Sequence, residues 1–321
     1  MKIRPFRLSL LGLSLLIPAA LGAVVLFLLV YSGQALQFNG LHFITDTTWN
    51  LGDLYDDPVT VNGISIPSGA EYGILVFIAG TLASSLLAIL IAVPLSVGAA
   101  IFLAEAVPEL ERATWKYIPW LPPLRPALSM LVELVAVVPS VVFGLWGIAV
   151  LVPFIGHYLS PTGNGYGLLA ASVVLALMIT PIIATTLLDS LMQVPKENRE
   201  SAFALGATHF EVVSKAMLPM VRATLIGGIV LALGRALGET MAVLMVSGGG
   251  INILPTSLFS PISTIASFVA GQLDSAEGDP TNMSVRALSE IALVLFLITL
   301  AVNAAAKLLT SGVFHVRKRQ H

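Results

Sequence analysis

Charged residues and cysteines are what this sequence has least of. Only 11% of its 321 residues are charged, about half the fraction that is usual in a soluble domain. There is no cysteine, which excludes disulfides, thiolate metal sites and cysteine nucleophiles. The formal net charge is −2, so the chain lacks the basic field that attracts nucleic acid, and we expect no nucleic-acid partner.

Motifs of catalytic and nucleotide-binding proteins are also missing. The sequence contains no phosphate-binding loop of the form G-x-x-x-x-G-K-[ST]. Its five histidines form neither an H-x-x-x-H nor an H-E-x-x-H pair. We therefore expect no catalytic residue, no metal site and no ATP hydrolysis by this chain.

Long apolar runs dominate what is present. Hydrophobic residues make up 56% of the chain, and the mean hydropathy is +0.92. The runs with little or no charge lie at 8–30, 72–104 (enclosed by Glu71 and Glu105), 126–152, 166–188, 223–246 and 291–306. Each supplies, alone or with flanking residues, the ~20 apolar residues that cross the ~30 Å hydrocarbon core. The sequence predicts an all-α integral membrane protein with six transmembrane helices.

The first run follows a basic start, as a secretory signal peptide does. Its apolar core continues through VVLFLLV, beyond the small residues at 19–23, and is longer than the core of a typical signal. We therefore expect an uncleaved first span.

Lysine and arginine are distributed unevenly between the segments that connect these runs. If the N-terminus is cytoplasmic, almost every basic residue falls on the cytoplasmic side of the membrane. These residues are Lys2, Arg4, Arg7, Arg112, Lys116, Arg125, Lys196, Arg199, Lys215, Arg222, Lys307, Arg317, Lys318 and Arg319, and only Arg286 falls outside. The bias predicts an N-in, C-in topology, unless a hidden half-helix or re-entrant loop changes the number of spans.

The predicted cytoplasmic segment 194–222 is too regularly patterned for a passive loop. Acidic residues come early and a lysine comes late, as the helix dipole favours. Gly206 can end one short helix, Thr208 can cap the next, and Pro219 marks the start of the fifth span. We predict a helix–turn–helix whose apolar knob suits a groove on a partner. The alternative is an amphipathic helix pair that lies on lipid headgroups.

Two charges stand four residues apart inside the fifth run, in LALGRALGETMAV. An arginine at the centre of a membrane helix costs roughly 2.5–3.5 kcal/mol on insertion scales, and tends to persist where pairing or function offsets this cost. At i and i+4, Arg235 and Glu239 share one helix face and can pair, and the glycines beside them permit close approach of a helix or substrate. The guanidinium suits an oxyanion such as phosphate. The two residues line a polar pathway, or they form only a structural ion pair.

The third run holds a single charge, Glu133, which we include in the candidate pathway. This carboxylate pairs with Arg235 or with an arginine of a partner chain, or it lies hydrated near the cytoplasmic end of the helix, ~10 Å from Pro126. Pro139 and Gly144 in the same run are gate elements or, more simply, packing features.

These stretches resemble a known family. The EAA motif of bacterial ABC-importer permeases is similar to a set of residues in the predicted cytoplasmic segment, with a serine in place of the usual second alanine: Glu200, Ser201, Ala202, Gly206, Leu218 and Pro219. LALGRALGETMAV is similar to the fifth-span motif of Pst-type phosphate-importer permeases, and its ETMAV ending resembles their C subunit. Other matching pieces make the resemblance cover most of 72–310.

The resemblance implies an ABC-importer permease fold in a bacterial inner membrane. In that family the EAA loop forms the coupling helix that docks on a separate ATPase. The membrane arginine and glutamate, here Arg235 and Glu239, are implicated in phosphate passage. The implied partners are a second homologous permease chain, an ATPase dimer that binds ATP and Mg²⁺, an external phosphate-binding protein and the lipid bilayer. We accordingly assign the first helix and outer loop to 1–71, the permease domain to 72–310 and a basic cytoplasmic tail to 311–321.

Other functions stay open on the residues alone. One is a permease for another oxyanion, such as sulfate, molybdate or tungstate. Another is a stand-alone secondary transporter that uses Arg235 and Glu239 for proton coupling. A membrane scaffold or sensor for phosphate signalling would need a soluble signalling domain or docking tail, and neither is visible in the sequence.

Overall fold

The computed structural model describes residues 5–115 and 123–317, and in these ranges the chain is mostly helical. Its α-helices are α1 (Pro5–Tyr31), α2 (Gly33–Asn39), α3 (His42–Thr45), α4 (Leu75–Ile101), α5 (Val107–Trp115), α6 (Leu124–Val137), α7 (Ser140–Trp146), α8 (Val152–Tyr158), α9 (Leu168–Met192), α10 (Lys196–Ala204), α11 (His209–Glu211), α12 (Leu218–Leu237), α13 (Met241–Val246), α14 (Ile265–Glu277) and α15 (Met283–Arg317). Lys2, Arg4, Lys116, Lys318 and Arg319 of the charge-bias prediction, and the end of the predicted tail, lie outside the described residues.

Three π-helical segments join some of these helices without a break. They are π1 (Phe102–Ala106) between α4 and α5, π2 (Gly147–Leu151) between α7 and α8, and π3 (Val212–Met217) between α11 and α12. With them, six helical stretches of the described chain are long and apolar enough to cross a membrane: Ser9–Tyr31, Leu75–Arg112, Ser140–Tyr158, Leu168–Met192, His209–Leu237 and Met283–Leu308. The predicted all-α membrane fold with six spans is confirmed.

The third span lies later in the chain than the sequence predicts. We expected a helix over 126–152, but α6 ends at Val137 and the spanning helix starts at Ser140. Val138 and Pro139 have extended ψ angles of 128° and 139°. Proline lacks an N–H and disfavours a helical conformation in the residue before it, so the helix breaks here.

The fifth span is displaced in the opposite direction. We expected it over 223–246, but the spanning helix begins at His209 and ends at Leu237. The π-helical turn π3 carries the chain from α11 into α12, so the helix does not start afresh at Pro219. The residues after Leu237 form a break followed by a short separate helix, α13.

Residues 5–76 and 268–298 form one compact unit, which contains the helices and strands that follow α1. Two antiparallel strand pairs lie here: β1 (Trp49–Asn50) with β4 (Glu71–Tyr72), and β2 (Val59–Val61) with β3 (Ile64–Ile66). The Trp49 ring centroid lies 5.0 Å from that of Tyr72 and 5.1 Å from that of Phe268, both edge-on. Burial raises the pKa of Tyr72 to about 12, so its hydroxyl stays neutral in its 3.2 Å hydrogen bond with Ser284.

Two acidic side chains of this unit fix the beginning of α15. Asp279 is buried, and its carboxylate accepts from the backbone N–H groups of Thr281 at 2.7 Å and Ser284 at 2.8 Å. Burial opposes the ionisation of Asp279, but these hydrogen bonds outweigh it and hold the pKa below its ordinary value. Glu290, inside α15 and 1% exposed, accepts a 2.8 Å hydrogen bond from the Asn39 amide.

The described residues within 77–267 and 299–317 form the second compact unit, built around α9. Within α9, 67% of the apolar window is buried, a larger share than in any other candidate span. Val174, Ile179 and Ile183 are completely buried in its core. Neighbours from α7, α12 and α13 pack on this helix, so α9 is the scaffold that positions the residues discussed next.

Candidate functional site

The charged stretch of the fifth run lies at a break in the helix. Helix α12 ends at Leu237, Gly238 caps it, and α13 starts at Met241. The Glu239 carboxylate accepts from the backbone N–H of Ala242 at 3.4 Å, so it caps one of the free donors at the start of α13. Arg235 therefore stands in the last turn of one helix and Glu239 beside the first turn of the next.

Arg235 and Glu239 do not form the predicted ion pair in this chain. The prediction required one continuous helix face through both residues, and the helix ends between them. In the part of the chain that the structure describes, no carboxylate lies within 4.0 Å of the Arg235 guanidinium. The two side chains are therefore not paired in this structure, and the alternative of a structural ion pair between them is not seen here. The role of the two residues in a pathway stays a prediction.

Arg235 lies on a continuous exposed stripe of α12. The members of the stripe recur every three or four residues and are Thr224, Gly227, Leu231, Arg235 and Gly238. The opposite face, with Ala232 and Ala236, is buried in the core. The exposed stripe is therefore the face of α12 that this chain leaves uncovered, and it combines a charge with small and polar positions.

The short helix α13 is held tightly against α7. A Cβ at Gly144 would lie 2.5 Å from Met245 Sδ, and one at Gly147 would lie 2.6 Å from Val246 Cγ1. The glycines thus allow close approach of two helices, each of which follows a break in its own span. Gly144 has the packing role that the sequence favoured.

Glu133 lies in α6, before the third span and not inside it. It is exposed, and no described arginine or lysine lies within 4.0 Å of its carboxylate. Its contribution to a pathway stays a prediction, and this position fits the alternative of a hydrated carboxylate near the end of the bundle.

The predicted helix–turn–helix between the fourth and fifth spans is confirmed as local structure. Helix α10 is followed by Gly206 in the left-handed conformation, with φ +83°. Thr208 then begins α11 in a capping box with Glu211, in which the Thr208 hydroxyl accepts from the Glu211 N–H at 3.4 Å. We call residues 196–219 the coupling hairpin, after the role that the family resemblance implies for them.

The coupling hairpin exposes an apolar knob. Leu205 is 90% exposed and Phe210 is 80% exposed, and they lie on either side of the Gly206 turn. A groove of about 370 Å³ runs beside them, lined by Ala202, Leu205, Gly206, Ala207, Glu211, Lys215 and Ala216. Glu200 and Ser201 are exposed on α10, while Leu218 and Pro219 open α12. An exposed apolar turn of this kind is typical of a docking element.

Sequence reasoning missed the residues that hold the coupling hairpin in place. Arg199 of α10 forms an ion pair with Glu105 of π1, and His209 lies 3.6 Å from Glu109 of α5. The available signal was a pair of glutamates at i and i+4 just after the second apolar run. In the described part of the chain, no cluster of three or more His, Asp or Glu is arranged to hold a metal ion.

These features define a helical membrane protein with the fold of ABC-importer permeases. The structure matches a chain of the inward-facing MetNI methionine ABC transporter with a TM-score of 0.55 at 18% identity, over 75% of this chain and 97% of that one. At this identity the likeness concerns the fold alone. It shows that the chain has the fold of an ABC-importer permease.

The family follows from the sequence comparison. The model described as "Binding-protein-dependent transport system inner membrane component" matches residues 120–315, a range that includes the coupling hairpin, Arg235 and Glu239. The chain belongs to this family and is a multi-pass protein of the bacterial inner membrane.

Curated relatives indicate which members of this family the chain resembles. The phosphate transport system permease protein PstC 1 of Mycobacterium tuberculosis is 44% identical over 291 residues, covering 85% of this chain and 82% of that protein. PstC of Mesorhizobium japonicum is 38% identical over 312 residues, covering 92% and 85%. PstC of Haemophilus influenzae is 35% identical over 314 residues, covering 92% and 89%. The resemblance to PstC-type permeases is confirmed.

Proposed function

We propose that this chain is the transmembrane permease subunit of an ATP-driven importer of inorganic phosphate. The observation that carries the proposal is Arg235, a permanent cation on the exposed stripe of α12 at a break in a membrane span. An arginine there is costly unless an anion or a partner group offsets it. Relatives that are 35–44% identical are named as phosphate transport permeases, which supports phosphate as that anion.

The exposed stripe of α12 faces a second, homologous permease, and the pathway lies between the two chains. Small and polar side chains at 224, 227 and 238 leave room beside Arg235, whereas a lipid-facing stripe would be apolar throughout. Phosphate carries charge that the guanidinium can neutralise through paired hydrogen bonds. Glu239 keeps the opposite charge close to the break and limits how firmly the anion is held. Glu133 lies on the same pathway nearer its cytoplasmic end.

A separate ATPase dimer supplies the energy for transport and binds the coupling hairpin. Leu205 and Phe210 supply the exposed apolar contact, and Glu200, Ser201 and Ala202 lie on the helix beside them. ATP and Mg²⁺ bind to that ATPase, and this chain catalyses no step itself. An external phosphate-binding protein delivers the substrate at the other side of the membrane. ATP-driven closure of the dimer moves the hairpin and, through it, the spans of the permease domain, 72–310.

The test is uptake by the reconstituted complex. This chain is placed in liposomes with the second permease, the ATPase and the binding protein, and uptake of labelled phosphate and sulfate is measured with and without ATP. We expect ATP-dependent uptake of phosphate only. Uptake of sulfate in place of phosphate would identify a permease for another oxyanion. Uptake by this chain alone, driven by a proton gradient, would identify a secondary transporter.

A further inference from the structure

We propose that Glu105 is the positioning residue through which the coupling hairpin moves the second span. The inference rests on the proposed role of the hairpin as the ATPase contact. Arg199, in α10 of the hairpin, forms an ion pair with the Glu105 carboxylate in π1. Because π1 lies within the helical stretch Leu75–Arg112, the pair joins the hairpin directly to a membrane-spanning helix.

A second contact joins the same two parts of the chain one helical turn later. His209 Nδ1, at the start of α11, lies 3.6 Å from a carboxylate oxygen of Glu109. Glu105 and Glu109 are i and i+4, so both helices of the hairpin are tied to neighbouring positions on one helix face. The His209 and Glu109 side chains are mostly exposed, at 71% and 61%, whereas those of Arg199 and Glu105 are only 31% and 18% exposed. The less solvated pair is screened less and holds more firmly.

Only one of the two carboxylate oxygens of Glu105 contacts Arg199. Arg199 contacts Oε2, while Oε1 is buried and accepts no hydrogen bond from any residue that the structure describes. A guanidinium can hold both oxygens of a carboxylate at once, in a stronger geometry than the one-oxygen contact. A small shift of α10 along π1 would allow this second geometry. In that second geometry the contact would be stronger, so the pair would favour one position of the hairpin over the other.

Apolar packing makes the connection between the hairpin and the second span rigid. Leu103 and Ala104 of π1 are buried in one cluster with Val212 and Met217 of π3, which continues the hairpin into the fifth span. Packed interiors deform little, so a displacement at one side is passed on and not absorbed. The π-helical turn around Glu105 is itself a feature found often at functional positions. Movement of the hairpin thus reaches the second span through Glu105 and the fifth span through π3.

The experiment uses the complete reconstituted complex and measures phosphate molecules taken up per ATP hydrolysed. Arg199→Gln and Glu105→Gln remove the ion pair, and Arg199→Lys keeps its charge. The control is Asp189→Asn, because Asp189 is an exposed carboxylate of α9 that belongs neither to the hairpin nor to the second span. We expect the ATPase to stay bound in every variant and the ratio to fall about tenfold in the two Gln variants, the size of a typical coupling between sites. Arg199→Lys and the control keep most of the wild-type ratio.

A wild-type ratio in Glu105→Gln and Arg199→Gln overturns the inference while leaving the proposed function intact. So does loss of the ATPase from both variants, which would show a purely structural contact. The reversed pair, Glu105→Arg with Arg199→Glu, gives an independent measurement. It restores the ratio above that of Glu105→Gln if the ion pair transmits the movement, and leaves it low if the inference is wrong. Failure of the wild-type complex to couple phosphate uptake to ATP would instead overturn the proposed function.

Discussion

The Glu239 carboxylate lies 3.4 Å from the backbone N–H of Ala242, three residues ahead, and not against the guanidinium of Arg235, four residues behind. This contact makes Glu239 a cap for α13 and separates the two charges across a helix break. An anion near Arg235 thus meets a guanidinium that has no carboxylate of the described chain within 4.0 Å.

Glu239 contributes to stability through its oxygen as well as its charge. Removing a side-chain cap costs about 1 kcal/mol, so we expect Glu239→Ala to lower the free energy of unfolding by about that amount. Glu239→Gln keeps an oxygen that can accept from Ala242 and should lose clearly less. Denaturant unfolding of the purified protein in detergent compares the two. Equal losses would show that the capping contact does not matter.

Arg235→Ala should leave the complex assembled but reduce phosphate uptake by more than about thirtyfold, because losing the charged partner of a desolvated anion costs roughly 2–5 kcal/mol. Uptake into proteoliposomes measures the effect. Arg222→Ala is the control, since Arg222 is an exposed arginine of the same helix near its other end. Normal uptake by Arg235→Ala would remove this residue from the pathway.

Gly206 is the turn of the coupling hairpin, and its φ of +83° suits glycine. An L-residue there costs roughly 1–2 kcal/mol, and asparagine tolerates the conformation best. We expect Gly206→Val to weaken co-purification of the ATPase and Gly206→Asn to retain most of it. A Cβ at this position meets nothing within 4 Å, so a difference between the variants reports backbone conformation and not a clash. Equal retention would contradict the prediction.

Gly165 lies so close to the backbone of Val152 that only glycine fits there. A Cβ at Gly165 would lie 1.9 Å from the Val152 carbonyl oxygen, which belongs to the backbone and cannot rotate away. We expect Gly165→Ala to destabilise the protein by about 3 kcal/mol. Gly98→Ala, whose Cβ meets nothing within 4 Å, should be neutral or slightly stabilising. Thermal unfolding of the two variants in detergent provides the comparison, and similar midpoints would contradict it.

Asp279 makes stability depend on pH in the acid range. Its pKa is lowered in the folded protein, so its contribution is complete above the unfolded value of about 3.9 and is lost as pH falls through the lower folded value. Asp279→Asn should therefore be less stable than the wild type at pH 7, and the difference should shrink toward pH 3. Unfolding midpoints at several pH values test this. If the difference in unfolding midpoint between the two proteins did not change with pH, the loss of stability would come from the shape of the side chain and not from its charge.

The number of spans was predictable because the signal is the absence of charge over about 20 residues. The residues at which the third and fifth spans begin and end could not be predicted from the sequence. Pro139 lies inside the third apolar run, but membrane helices tolerate proline, and only the structure shows that the helix stops there. The break after Leu237 depends on the Glu239 cap and on the packing of α13 against α7, which are tertiary contacts.

The folded segment after α1 was partly predictable. In VTVNGISI, the dipeptide Asn62-Gly63 stands between alternating apolar residues, a strong hairpin signal, and both residues have the positive φ that such a turn needs. By contrast, the contact between Glu105 and Arg199 joins positions 94 apart in the chain. Sequence spacing carries no information about such a pair.

No residue in the apolar window of the first span, Ser9–Tyr31, is buried inside the chain. Its neighbours must therefore be fatty acyl chains or another subunit. A helix surrounded by fluid lipid is selected for its hydrophobicity and length, and not for side-chain shapes that complement a neighbouring helix. Leucine, valine and alanine should therefore replace one another freely at its positions among natural variants. The interior of α9 has no such freedom, and the two helices should diverge at very different rates among relatives.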